Sequence, residues 1–151
     1  MKTRDGFLCG SDKLGRRVNV YPGDLYYSES HQWARVDEGV ATVGVTNYAQ
    51  DRLGDVVYVE LPQPDEEAKR GEALGSIESV KAVADVNSPV TGRVIEVNVA
   101  LDDAPEKINE SPYDEGWLAK IELSDPAEIR ALMSAQQYVQ FLQRLSENQE
   151  G

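Results

Sequence analysis

The sequence predicts a mainly β protein, a sandwich or flattened barrel with short peripheral and C-terminal helices. Three observations predict it. Many short segments are rich in branched residues or alternate apolar with polar side chains at a period of two. Glycine, proline and Asp/Asn turn signals separate them at regular intervals. A long apolar stripe of helical period appears only after Asp125. With 151 residues, 40% of them hydrophobic and 28% charged, the chain suffices for one domain with its own core.

Residues 1–20 are the least patterned. Lys2, Arg4, Lys13, Arg16 and Arg17 face only Asp5 and Asp12, so this end is basic on an acidic protein. The acids and the missing amphipathic stripe argue against a transit peptide, and no apolar core of signal-peptide length is present. The reading is a mobile extension of a bacterial protein, with Cys9 incidental.

From Tyr21 the signals become regular. Pro22-Gly23 turns the chain, and the segment Ser30 to Val36 alternates as a strand. Asp37-Glu38-Gly39 turns it into Val40–Val45, completing a hairpin. Thr46 or Asn47 then caps a short helix through Ala49, Gln50 and Leu53, which Gly54 ends in the left-handed conformation. Asp55 to Leu61, rich in branched and aromatic residues, is a strand broken by Pro62-Gln63-Pro64. A charged loop follows to Gly71. Ala73, Leu74 and Ile77, then Val83 to Asn87, form two β-type runs around Lys81, which stands at or beside a hairpin tip.

After Thr91-Gly92, residues 93–99 alternate, placing Ile95, Val97 and Val99 on one face and Glu96 and Asn98 on the other. Residues 100–116 read as a long loop, and Trp117 to Leu123 as a strand. Asp125, Pro126 and Glu128 form a capping box for a helix with Ile129, Leu132 and Met133 on its apolar face. The stripe shifts at Ser134-Ala135 and resumes as Tyr138, Phe141, Leu142 and Leu145, giving two short helices or one kinked one. The tail over 146–151 is polar and reads as frayed.

The net charge of -12 argues against nucleic acid, whose binding rests on neutralising phosphates with Lys and Arg. No apolar run approaches a membrane span. One histidine, His31, and one cysteine make no His- or Cys-rich metal site, and neither a phosphate-binding glycine loop nor a nucleophile elbow occurs. His31 beside Trp33 reads as a packed or solvent-edge residue. The chain is expected to be no enzyme on its own account, with no catalytic residue and no metal.

An exposed lysine ordinarily needs no explanation. The surround of Lys81 provides one: Glu78-Ser79-Val80-Lys81-Ala82 lies inside Gly75 to Gly92, which in order resembles the lipoyl-lysine hairpin of the glycine cleavage system H protein family. Ser30-His31-Gln32-Trp33, Val43 to Gln50, Leu53 to Val57, Asn109 to Tyr113 and Gly116-Trp117 extend the resemblance from about Tyr21 to Leu145. Lipoyl domains of 2-oxo acid dehydrogenases show Asp-Lys-Ala at the lysine and biotin carriers Met-Lys-Met; neither fits.

The resemblance implies a lipoyl-carrier (barrel-sandwich hybrid) domain over 21–145, with lipoic acid joined by an amide to Lys81. Glu78, Ser79, Val80 and Ala82 would be read by a lipoate ligase or octanoyltransferase. It further implies a shuttle between three enzymes. A pyridoxal-phosphate (PLP) glycine decarboxylase loads the aminomethyl group of glycine, an aminomethyltransferase passes the carbon to tetrahydrofolate, and a flavin (FAD) dihydrolipoyl dehydrogenase reoxidises the arm. The place is then the cytoplasm of a bacterium, or the mitochondrial matrix if the protein is eukaryotic.

By the same resemblance the loaded arm lies in a cleft at positions matching Ser30, Gln32 and Asp85. Gln32 departs from the Glu usual in the family, and a neutral amide holds an amine less strongly than a carboxylate. This leaves open a lipoyl carrier in another route, such as lipoyl relay to other proteins. An unmodified partner-binding module is the reading from a different class.

Overall fold

The structure, a computed structural model, describes residues 9–11, 17–19 and 21–150, with side chains described from 21 to 145. The expectations for 1–20 and 146–151 fall largely outside that set. In chain order the first strands are β1 (Cys9–Ser11), β2 (Arg17–Asn19), β3 (Tyr26–Tyr27), β4 (Gln32–Asp37) and β5 (Val40–Val45). Helix α1 (Asn47–Leu53) leads to β6 (Val56–Glu60), β7 (Glu67–Ala68), β8 (Ala73–Ser79), β9 (Val83–Asn87) and β10 (Gly92–Val97). Two helical turns, α2 (Ala100–Asp103) and α3 (Lys107–Glu110), precede β11 (Ala119–Leu123). A 3-10 helix (Pro126–Ala131) and α4 (Ala135–Glu150) follow.

The strands form a six-stranded sheet of order β3-β4-β5-β11-β10-β7 and a three-stranded sheet of order β6-β8-β9, besides the β1-β2 pair. All named pairings are antiparallel, and short loops join β3 to β4, β4 to β5 and β8 to β9, as antiparallel neighbours allow. Glu38 and Gly39 both take positive φ, 50° and 81°, in the two-residue link between β4 and β5. Such turns match the right-handed strand twist, which secures the hairpin register from Gln32↔Val45 to Asp37↔Val40. Within it Trp33 faces Gly44. A Cβ on Gly44 would stand 2.7 Å from the fully buried indole, so the ring lies where only glycine leaves room.

The two sheets share a core. Val45 of the larger sheet clusters with Val59, Ile77 and Val86 of the smaller one, closed over by Leu101 and Ile108. Those last two explain why the expected loop over 100–116 is not one: α2 and α3 each bury a single apolar residue, Leu101 and Ile108. A second cluster, with Val43, Val94 and Ile121, fills the inner side of the six-stranded sheet. A third seats α4, through Tyr138 and Val139, against Tyr27 and Trp33. Fully burying side chains of this size contributes about 1.5–3 kcal/mol each.

Other local readings are corrected by long-range contacts. The alternation expected over 93–99 fails at a bulge between Val94 and Glu96. Val94 is fully buried, Ile95 and Val99 are exposed, and Asn98 is buried, donating to the carbonyls of Glu115 and Trp117 at 2.8 Å. The capping box is half made. Asp125 Oδ1 accepts from Ala127 N, whereas Glu128 turns away to accept from Thr91 N and Oγ1 at 2.8 and 2.9 Å. The helix there is 3-10 and stops at Ala131, because Met133 pairs its backbone with Tyr27. The charged loop before Gly71 contains the short strand β7 on the sheet edge.

Candidate functional site

The β8–β9 hairpin presents Lys81 at its tip, exposed between Val80 and Ala82. The tip is organised by Ser79, whose side chain is almost fully buried. Its Oγ donates to Ala82 O at 3.2 Å and accepts from Lys81 N and Ala82 N at 3.3 and 3.1 Å. Val80 N adds a bond to Asp55 O, tying the tip to the end of α1. Of the residues read as a recognition set, Ser79 is thus the scaffold. Glu78, Val80 and Ala82 are on the outside. Glu78 lies in register between Tyr58 and Val83, so an acidic group stands between two exposed apolar ones beside the lysine.

Helix α1 runs from Thr46, whose hydroxyl caps it by accepting from Ala49 N, to Gly54. Gly54 has φ 81° as expected, but its ψ of -156° is extended, a region open to glycine and not the left-handed helical one. Asn109 sets this end: Oδ1 accepts from Val56 N at 2.9 Å while Nδ2 donates to Gly54 O and Gln50 Oε1. At the other end Tyr113 Oη accepts from Asn47 N. The segment 109–113, far away in sequence, therefore aligns α1.

Between α1 and the β8–β9 hairpin lies a cleft of about 380 Å³. Tyr48, Ala49 and Leu53 line one wall, Ile77, Ala84 and Val86 the other, with Ser30, His31 and Gln32 from the turn that enters β4 beside them. Lys81 reaches the C-terminal end of α1: its Cε lies 3.5 Å from where a Gly54 Cβ would be. The apolar walls suit an alkyl chain and the polar residues a group with hydrogen-bonding atoms.

Ser30, Gln32 and Asp85 all border this cleft. Gln32 is buried, and its amide is committed locally. Oε1 accepts from the hydroxyls of Ser28 at 2.7 Å and Ser30 at 2.8 Å, and Nε2 donates to Ser30 O at 2.6 Å. Asp85 is the only carboxylate lining the cleft among the described residues, and Arg52 the only cation. Asp85 is exposed on the free edge strand β9, in register with Ser76.

His31 is half-buried and held at φ 73°, against Tyr48 with 4.4 Å between ring centres. Burial, then the charge of Arg52, push its pKa down to about 4, so the ring is neutral at pH 7. The expectation of a packed histidine fits this. Sequence reasoning missed Tyr48, Arg52, Leu53 and Leu145 as cleft residues. The helical spacing of Tyr48, Ala49, Arg52 and Leu53 was the available signal.

Comparison with known proteins agrees with the geometry. The family model described as glycine cleavage H-protein matches residues 25–145. A glycine cleavage system H protein of Staphylococcus epidermidis is 47% identical over 121 residues, covering 80% of this chain and 96% of that protein. The counterpart from another strain is 46% identical over 121 residues. A crystal structure of a glycine cleavage system H protein from Mycobacterium marinum superposes with a TM-score of 0.72 at 36% identity, covering 78% of this chain and 94% of that one.

Proposed function

The chain belongs to the glycine cleavage H-protein family, and we propose that it is the lipoyl-carrying shuttle of that system, with lipoic acid in amide linkage to Lys81. The observation that carries this is the placing of Lys81 on an exposed hairpin tip beside the C-terminal end of α1, the helix that with Ser30 and Gln32 lines the cleft. The cleft walls are apolar, which fits a long acyl arm. When bound, the lipoyl disulfide supplies the acceptor for the aminomethyl group of glycine.

The protein's own residues bind, orient and shield. Ser79 holds the tip so that the lysine amine projects to a lipoate ligase or octanoyltransferase. Glu78, Val80 and Ala82 offer that enzyme a surface. Residues 21–145 serve as the carrier domain. Asp85 supplies the negative charge that an amine in the cleft needs, and Ser30 a hydroxyl. The partners are a PLP-dependent glycine decarboxylase, a tetrahydrofolate-dependent aminomethyltransferase and an FAD-dependent dihydrolipoyl dehydrogenase. By this reading the carrier works in the cytoplasm of a bacterium, or in the mitochondrial matrix if the protein is eukaryotic. No helix among the described residues is long and apolar enough to cross a membrane.

The committed hydrogen bonding of Gln32 favours a second reading, a lipoyl carrier serving another route. A neutral amide saturated by its own loop offers little to an amine. Intact mass and peptide mapping after incubation with a lipoate ligase test the first step. One lipoyl-sized increment on Lys81 is expected, and an unmodified mass would leave a partner-binding β-module. Aminomethyl loading by glycine decarboxylase then separates the two carrier readings.

A further inference from the structure

His31 has one ring nitrogen accounted for and one that is not. Its Nδ1 is 2.8 Å from Tyr138 Oη, which is 2.8 Å from Thr46 Oγ1, which in turn accepts from Ala49 N at the start of α1. Thr46 and Tyr138 are fully buried, so each hydroxyl proton must find its acceptor inside the protein. If His31 carried its proton on Nδ1, that N–H would donate to Tyr138, and Tyr138 would donate to Thr46. The Thr46 proton would then have no acceptor among the described residues. The opposite direction satisfies every group: Thr46 donates to Tyr138, Tyr138 donates to Nδ1, and the neutral ring keeps its proton on Nε2. No buried side-chain nitrogen or oxygen is unpartnered among the described residues, and none of them pairs with Nε2. That N–H is therefore accessible, on a residue that lines the cleft.

The length of α1 decides what would meet it. Lys81 lies by Gly54 after the last turn, and His31 packs on Tyr48 in the first. Seven helical residues at 1.5 Å each separate those ends by roughly 10 Å. An acyl chain attached at Lys81 would pass Leu53 and Ala49 and bring its far, sulfur-bearing end to His31.

We propose that His31, held as the Nε2–H tautomer by the Thr46–Tyr138 hydroxyl relay, donates a hydrogen bond to sulfur at the end of the lipoyl arm and, with Arg52, favours the thiolate of the reduced arm. This rests on the carrier reading above. The step is an ionisation only: the S–H bond breaks, the electron pair stays on sulfur and the proton leaves to solvent. The neutral ring adds a hydrogen bond to this without adding a charge to that of Arg52. His31 is a binding residue here, and Thr46 and Tyr138 position it.

Two measurements test this on the full chain. Nitrogen-15 NMR of the unmodified protein should show the His31 proton on Nε2, and Tyr138→Phe should release a mixture of tautomers; a proton on Nδ1 in the unaltered chain would overturn the assignment. On the chain lipoylated at Lys81, thiolate absorbance is titrated as the difference between reduced and oxidised arm, which cancels Cys9. His31→Asn, which tolerates a positive φ, should raise the arm's thiol pKa by about one pH unit, the size of a hydrogen bond to a charged group. An unchanged titration on a modified chain sinks this inference alone. A chain that takes no lipoyl group sinks the carrier reading with it.

Discussion

The side chain of Lys81 crosses the C-terminal end of α1 at Gly54, so that a methyl group on Gly54 would lie 3.5 Å from Lys81 Cε. That is ordinary van der Waals contact. The demand for glycine comes instead from the backbone, at φ 81° and ψ -156°. Gly54→Ala is expected to destabilise the protein by about 1–3 kcal/mol through backbone strain. Urea unfolding checks the loss, and lipoate ligase kinetics on the folded variant should show Lys81 still modified.

Lys81→Arg keeps a positive charge on an exposed tip whose hydrogen bonds are made by Ser79 and by backbone groups. Its melting temperature should match that of the unaltered protein, and all mass gain on incubation with ligase should vanish. A lipoyl-sized increment elsewhere in the chain would refute the attachment site.

Glu78 and Ser79 are neighbours with different work. Ser79→Ala removes a hydroxyl that bonds three backbone groups at the tip, and a cost of about 1–3 kcal/mol is expected from the groups left unpaired. Glu78→Ala touches an exposed side chain, so it should leave the melt unchanged and slow the ligase. Equal kinetics for Glu78→Ala and the unaltered chain would mean that Glu78 is not read.

Gln32→Glu would set a carboxylate oxygen where Nε2 now donates to Ser30 O at 2.6 Å. Repulsion between the two oxygens raises the new carboxyl's pKa in the folded state. A carboxyl raised by folding favours the native state while protonated, so the variant should be least stable at neutral pH. It should recover as pH falls through that raised pKa. Unfolding free energies at several pH values check this, and an increase in stability at neutral pH would contradict the geometry. If the carrier reading holds, the same change should slow loss of the aminomethyl group from the loaded protein.

His31 carries the opposite sign. Burial lowers its pKa from 6.5 to about 4. The unfolded chain therefore binds a proton between those values that the folded one refuses. The stability it contributes is complete above pH 6.5 and is lost as pH falls towards 4, on the order of 2 kcal/mol for a half-buried ring. His31→Asn should flatten that part of the pH profile. The groups that face the His31 ring are Tyr48, Tyr138, Phe141 and Arg52.

By itself the sequence determined what depends on neighbours along the chain: the Glu38-Gly39 hairpin, a cap at Thr46 or Asn47, the Lys81 tip and the strands β4, β5, β6, β8, β9 and β11, each set by side-chain period or backbone preference. Where two residues far apart compete for one group, local signals pointed the wrong way. Glu128 leaves its own cap for Thr91, and the sheet pairing of β10 with β11 inserts a bulge that turns Ile95 outward. The cleft is of the same kind. Ser30, Tyr48, Asp85 and Leu145 come from four separate segments, and only packing of α1 and the three-stranded sheet against β4 brings them to one space. The lysine could be named from its surround. The His31 proton could not, because its position follows from a hydroxyl contributed by α4.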